Sequence, residues 1–86
     1  MKLKAQVNES KIRAIIERVT ELSIDLENGK KRTVYVFQTI GSDGRSHGGR
    51  IQNWECDNIT EEFNYREQEE IFQYCDLYWA KNGYNI

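Results

Sequence analysis

Apolar residues along this 86-residue chain recur with two different periods, and the points where the period switches divide it into elements. Met1, Leu3, Ala5 and Val7 alternate with Lys2, Lys4 and Gln6, the pattern of a short strand with one buried face. Ile12, Ile15, Ile16 and Val19 follow at helical spacing, with Asn8 or Ser10 as a cap and Arg13 one turn from Glu17, so a first helix is expected there. After Thr20 the period returns to two. Leu22, Ile24 and Leu26 alternate with Glu21, Ser23, Asp25 and Glu27 up to Asn28 and Gly29, a strong hairpin signal.

Loop length decides the register of that hairpin. A two-residue loop would set Leu26 against Lys31 and Ile24 against Thr33, whereas a three-residue loop sets Ile24 against Val34 and Leu22 against Val36. The longer loop is therefore predicted, with Val34 and Val36 facing the core and Tyr35 and Phe37 on the opposite face. Gly41 to Gly44 ends the strand, Arg45 to Gly49 extends a glycine-rich loop, and Arg50 to Cys56 offers a further strand.

The last element is the most strongly periodic. Phe63, Ile71, Phe72, Tyr74, Cys75, Tyr78 and Trp79 cover one side of a helix between Thr60 and Asn82, with Gly83 as its stop. Thr60 is one candidate cap; Asn64, with Glu67 three residues on, is the other. The expected fold class is α+β: a three- or four-stranded antiparallel sheet with two helices packed on one face, in the order (β)αβββα, forming a single domain over residues 1–86.

Composition supports a folded domain, with 38% apolar and 30% charged residues. The sequence has no apolar run approaching the ~20 residues that cross a bilayer, so no membrane partner and a cytoplasmic location are expected. Cys56 and Cys75 are too few for a disulfide framework and are read as reduced, buried thiols. With His47 they lack a fourth metal ligand, so neither a metal nor a cofactor is expected.

Charge is strongly segregated. Residues 1–50 carry ten Lys or Arg against six Asp or Glu, and residues 51–86 carry two against eight, so +4 and −6 sum to the net charge of −2. Glu62, Glu69 and Asp76, seven residues apart, are expected to form a row on the solvent side of the last helix. Consecutive acids at ~10.5 Å are much sparser than phosphates at ~3.4 Å along one DNA strand. The row therefore reads as a docking face before it reads as a DNA mimic, with Glu62–Arg66 and Arg66–Glu70 pairs as the ordinary alternative.

Two other constellations compete with it. Lys31 and Arg32 beside Tyr35 and Phe37, with Arg45 and Arg50, could bind RNA or DNA by stacking and phosphate contact; the same aromatic pair could instead bury a homodimer interface. Arg45, His47 and Arg50 in a glycine-rich loop could hold an anion. The predicted order helix, three strands, helix is that of double-stranded-RNA-binding domains, but Glu61, Glu62 and Glu67 to Glu70 stand where their second helix is basic, and that family is not carried over. Compactness and local acidity resemble small phage-encoded inhibitors such as anti-CRISPR proteins, a likeness of composition alone.

No local nucleophile–base signature supports catalysis. The expected function is a non-enzymatic interaction module, an inhibitor that occludes a basic, nucleic-acid-handling site on a partner protein through Glu62, Glu69 and Asp76, with Tyr35 and Phe37 as apolar contacts. Direct nucleic-acid binding and a homo-oligomeric regulatory or ligand-binding domain are the alternatives.

Overall fold

The computed structural model describes residues 3–14, 17–26, 29–42 and 45–81, the side chains of 12–14 excepted. Four strands, β1 (Ala5–Ala14), β2 (Glu17–Asp25), β3 (Lys31–Ile40) and β4 (Ser46–Gln52), form an antiparallel meander in the order β1-β2-β3-β4. A single 3-10 turn, Thr60–Glu62, leads into one helix, α1 (Tyr65–Lys81). The class is α+β as expected, with four strands, but the described residues contain one α-helix, not two.

The expected first helix is a correction. Residues 5–14 and 17–25 are two paired strands, so Ile12 and Val19 belong to neighbouring strands; Ile15 and Ile16 lie outside the described residues. The helical spacing arose because the buried positions nearest the loop of this hairpin are not apolar. Ser10, Arg18 and Thr20 all face inward and are at most 7% exposed, which erases the two-residue hydrophobic alternation. Register shifts between Val7 and Glu9 and between Ile12 and Ala14 disturb the pattern further. Leu3, just before β1, and Ala5 and Val7 within it pack on the core as the N-terminal alternation predicts, and the strand runs on to Ala14.

The β2–β3 loop has the expected three residues but is placed one position earlier. The Leu26 N–H donates to the Lys30 carbonyl at 2.8 Å and the Gly29 N–H to the Leu26 carbonyl at 3.1 Å; Asn28, expected in this turn, lies outside the described residues, as does Glu27. Gly29 supplies the left-handed residue of this turn, φ +78°. Leu22 therefore faces Val34, and Thr20 faces Val36, a slip of two residues from the predicted pairing. A two-residue slip preserves parity, so Val34 and Val36 still point into the core, both 0% exposed, and Tyr35 and Phe37 occupy the opposite face.

Strand β4 begins earlier than predicted, and much of the expected glycine-rich loop is strand. Phe37 pairs with Arg50 and Thr39 with His47, so Gln38 stands opposite both Gly48 and Gly49 in a bulge. Gly49 lies under the helix: a Cβ built there would sit 2.7 Å from Phe72 Cε1. After β4 the chain turns back and covers part of that strand's outer edge, where the Ile59 N–H donates to the Ile51 carbonyl at 2.8 Å and the Ile51 N–H to Thr60 Oγ1 at 2.9 Å.

Asn64, not Thr60, caps α1. The Asn64 N–H donates to Glu67 Oε1 at 2.9 Å while the Glu67 N–H donates to Asn64 Oδ1 at 2.8 Å, a reciprocal capping box. The helix buries Ile71 and Cys75 against Leu22, Val34, Val36 and Ile51. Phe72 on one flank reaches β4, and Tyr74 on the other donates to the Leu3 carbonyl at 2.6 Å. Asn82 and Gly83, the expected end of the helix, lie outside the described residues.

Candidate functional site

The acidic row is divided by the fold. Glu62 stands in the 3-10 turn before α1 and pairs with Arg32 of β3, Oε1 to Nη2, at 2.7 Å; that guanidinium also lies over the Phe63 ring at 5.5 Å. Glu69 is exposed on α1. Asp76, with its side chain about half exposed, turns inward at one oxygen: Oδ1 accepts from Arg18 Nη2 at 2.5 Å, Ser46 Oγ at 2.8 Å and Gln38 Nε2 at 3.3 Å. Glu70 accepts from the Leu3 N–H at 3.0 Å. Much of the C-terminal acid thus meets the N-terminal half inside one molecule, and Glu62 finds Arg32 rather than Arg66.

Asp76 anchors a polar cluster at one end of the core. Arg18 is 2% exposed, donates to Gln38 Oε1 at 2.7 Å through the same Nη2 and lies 5.2 Å from the centre of the Trp79 ring. Its Nε is buried without a hydrogen-bond partner among the described residues. Nearby, Ser10 Oγ and Thr20 Oγ1 share a hydrogen bond of 2.9 Å. Burial pushes the Cys75 thiol up to about 12, against partial relief from a hydrogen bond with Thr20 and the positive charge of Arg18. A thiol held protonated in this way is not a nucleophile at neutral pH.

The outer face of the sheet carries Tyr35, half-buried, and Phe37, only 9% exposed. Arg50 covers Phe37, its guanidinium 4.5 Å from the ring centre and Nη1 3.8 Å from Glu17 Oε2. The three residues of the proposed anion loop are distributed along strand β4 and its approach: His47 stands opposite Thr39, Arg50 opposite Phe37, and the Arg45 carbonyl accepts from the Gly41 N–H at 2.8 Å. Lys31 stands opposite Asp25. Among the described residues, no group of three or more His, Cys, Asp or Glu has a metal-binding arrangement.

The most prominent surface feature was read in the sequence only as part of a strand. Asn53 to Asp57 is a tight turn in which Asn53 Oδ1 accepts from the Glu55 N–H at 2.9 Å and the Asp57 N–H at 3.0 Å. Two backbone hydrogen bonds of 3.0 Å, Asn53 N–H to the Asp57 carbonyl and Cys56 N–H to the Asn53 carbonyl, close it. Cys56 occupies a left-handed conformation, φ +67°, which costs a non-glycine residue about 1 to 2 kcal/mol. It is exposed, contrary to the expectation of a buried thiol. The pinned turn leaves Trp54 74% exposed, with Glu55 and Asp57 following it in the same turn, and Tyr65, 77% exposed, opens α1. An asparagine and an aspartate four residues apart around a tryptophan was the available sequence signal.

A shallow groove lined by Glu70, Gln73, Tyr74 and Leu77 opens on the flank of α1. No helix formed by the described residues is long and apolar enough to cross a membrane. No protein family, curated protein or solved structure matches the chain.

Proposed function

We propose that this protein is a non-enzymatic interaction module that binds a basic protein surface and, by occupying it, blocks a nucleic-acid-handling site. The observation that carries this reading is the exposure of Trp54 on a hydrogen-bonded turn that also carries two acids, Glu55 and Asp57. A tryptophan held in place loses little entropy on docking, and aromatic anchors of this kind dominate interface energetics. Glu55, Asp57, Glu61 and Glu69 are exposed on the turn and the segment that follows, and supply charge for steering toward a cationic partner. Glu62 and Asp76 contribute less to docking than their spacing suggests, because Arg32 and Arg18 already engage them.

Direct nucleic-acid binding by the basic hairpin is the weaker reading, since Arg50 lies on Phe37 and Arg32 on Phe63, where bases would need open rings. The test is affinity purification from the native host with and without nuclease, followed by titration of the recovered partner. Trp54→Ala is expected to weaken binding by about 30-fold or more, the scale of an interface hot spot. A triple Glu55→Lys, Glu61→Lys, Glu69→Lys variant is expected to slow association and flatten its salt dependence. Unchanged affinity and salt dependence in both variants would reject the surface.

A further inference from the structure

We infer that the open face of the sheet is a self-association surface on which two copies pack face to face about a two-fold axis running along the β2–β3 seam. Among the described residues, α1 and the 3-10 turn pack on the inner face, leaving the outer face of all four strands without a second layer. At its centre, half-buried Val19 and Tyr35 lie beside Phe37. Glu21, Asp25 and Lys31 stand along the seam itself, and Glu9, Lys11 and Arg50 lie on the flanking strands.

The register makes that face self-complementary. In the sheet, Val19 stands opposite Phe37, Glu21 opposite Tyr35 and Asp25 opposite Lys31. A two-fold axis along the seam lays β2 of one copy over β3 of the other at the same levels. Val19 then meets the second copy's Arg50 where it covers Phe37, Glu21 can accept from its Tyr35 hydroxyl, and Asp25 meets its Lys31. Each contact occurs twice, as isologous symmetry requires. Along the central strands no two like charges meet.

Among the described side chains, the like-charge approach is Lys11 over Arg50 at the edges, where Glu9 lies 3.8 Å from Lys11 and Glu17 3.8 Å from Arg50. The ~30° rotation of aligned sheet packing also carries these edges out of direct register. In the isolated chain Glu9 and Glu21 stand directly opposite one another, an unfavourable cross-strand pair that the Tyr35 hydroxyl and Gln52 amide of a second copy, at the same level, would relieve. Four strands at ~4.8 Å spacing and ~3.4 Å per residue over the nine residues of β2 make a face of roughly 19 by 30 Å. With side-chain relief this approaches the ~800 Å² per partner of a standard interface. Both helices remain on the outside of such a dimer.

Sedimentation equilibrium of the full chain between about 1 μM and 1 mM tests the inference. A reversible dimer is expected. Tyr35→Asp, which sets a carboxylate over Glu21 of the other copy, and Thr33→Arg, at a position exposed in the single chain, are each expected to weaken it by tenfold or more. Circular dichroism and melting temperature establish that the variants fold. A monomer at 1 mM, or a dimer that survives both substitutions, overturns the proposal.

Discussion

Arg18 holds a formal charge at 2% exposure, a position where desolvation is costly unless every interaction is well aimed. Its Nη2 meets Gln38 and Asp76 together, and Trp79 lies against the guanidinium. Asp76→Ala leaves that cation with the Gln38 amide and the Trp79 ring but no counter-charge in contact. The expected loss is about 3 kcal/mol, the low end for breaking a buried pair, because Asp76 itself remains half in water; a lowered urea midpoint with an unchanged slope would register it. Cys75 makes a second prediction at this scale. The unfolded thiol begins to ionise near the ordinary value of 9.0, whereas the folded one stays protonated until about 12. Its contribution to stability is therefore fully present below pH 9 and is lost as pH rises toward 12. Wild type should lose stability over that window faster than Cys75→Ala. At pH 8 a thiol reagent should titrate exposed Cys56 alone, with a second equivalent appearing only after denaturation.

Among the elements, the bulge in β4 determines how closely α1 can approach. Gly49→Ala would place a methyl group 2.7 Å from Phe72 Cε1, and displacing that ring is expected to cost about 1 to 3 kcal/mol, read as a lowered melting temperature. The helix itself was legible in the sequence because its apolar positions are apolar in fact: Ile71 and Cys75 are buried, and Asn64 with Glu67 caps it as their spacing predicts. The β1–β2 hairpin was not, because periodicity arguments equate inward with hydrophobic, and this hairpin turns Ser10, Arg18 and Thr20 inward. Asn28 and Gly29 gave the loop length but not its phase: hairpins with Gly29 second or third in the loop satisfy the same hydrophobic pattern, and hydrogen bonding at Leu26 and Lys30 selects one. Of the candidate site, sequence spacing located the acids but could not see that Arg18 and Arg32, 58 and 30 residues away, would claim Asp76 and Glu62.

For the whole molecule, the opposed charges of the two halves join the ends of the fold together: the helix that carries much of the acid docks on strands that carry much of the base. Removing that helix should be far more damaging than removing any one pair. A chain ending at Phe63 would bare Leu22, Val34, Val36 and Ile51 along one sheet face, and it is expected to lose cooperative unfolding and to aggregate, as gel filtration and a thermal scan would reveal. Leu3 is the other end of this closure, held at its N–H by Glu70 and at its carbonyl by Tyr74, about 70 residues further on.

That closure imposes a schedule on synthesis. A ribosome makes all four strands before the first residue of α1, so the meander, whose pairings are all between sequence neighbours, can assemble early with its inner face bare. At ~5 to 20 residues per second, adding 64–81 takes roughly 1 to 4 s. Until those residues are added, the inner face of the sheet, with Leu22, Val34, Val36 and Ile51, has no helix to bury it.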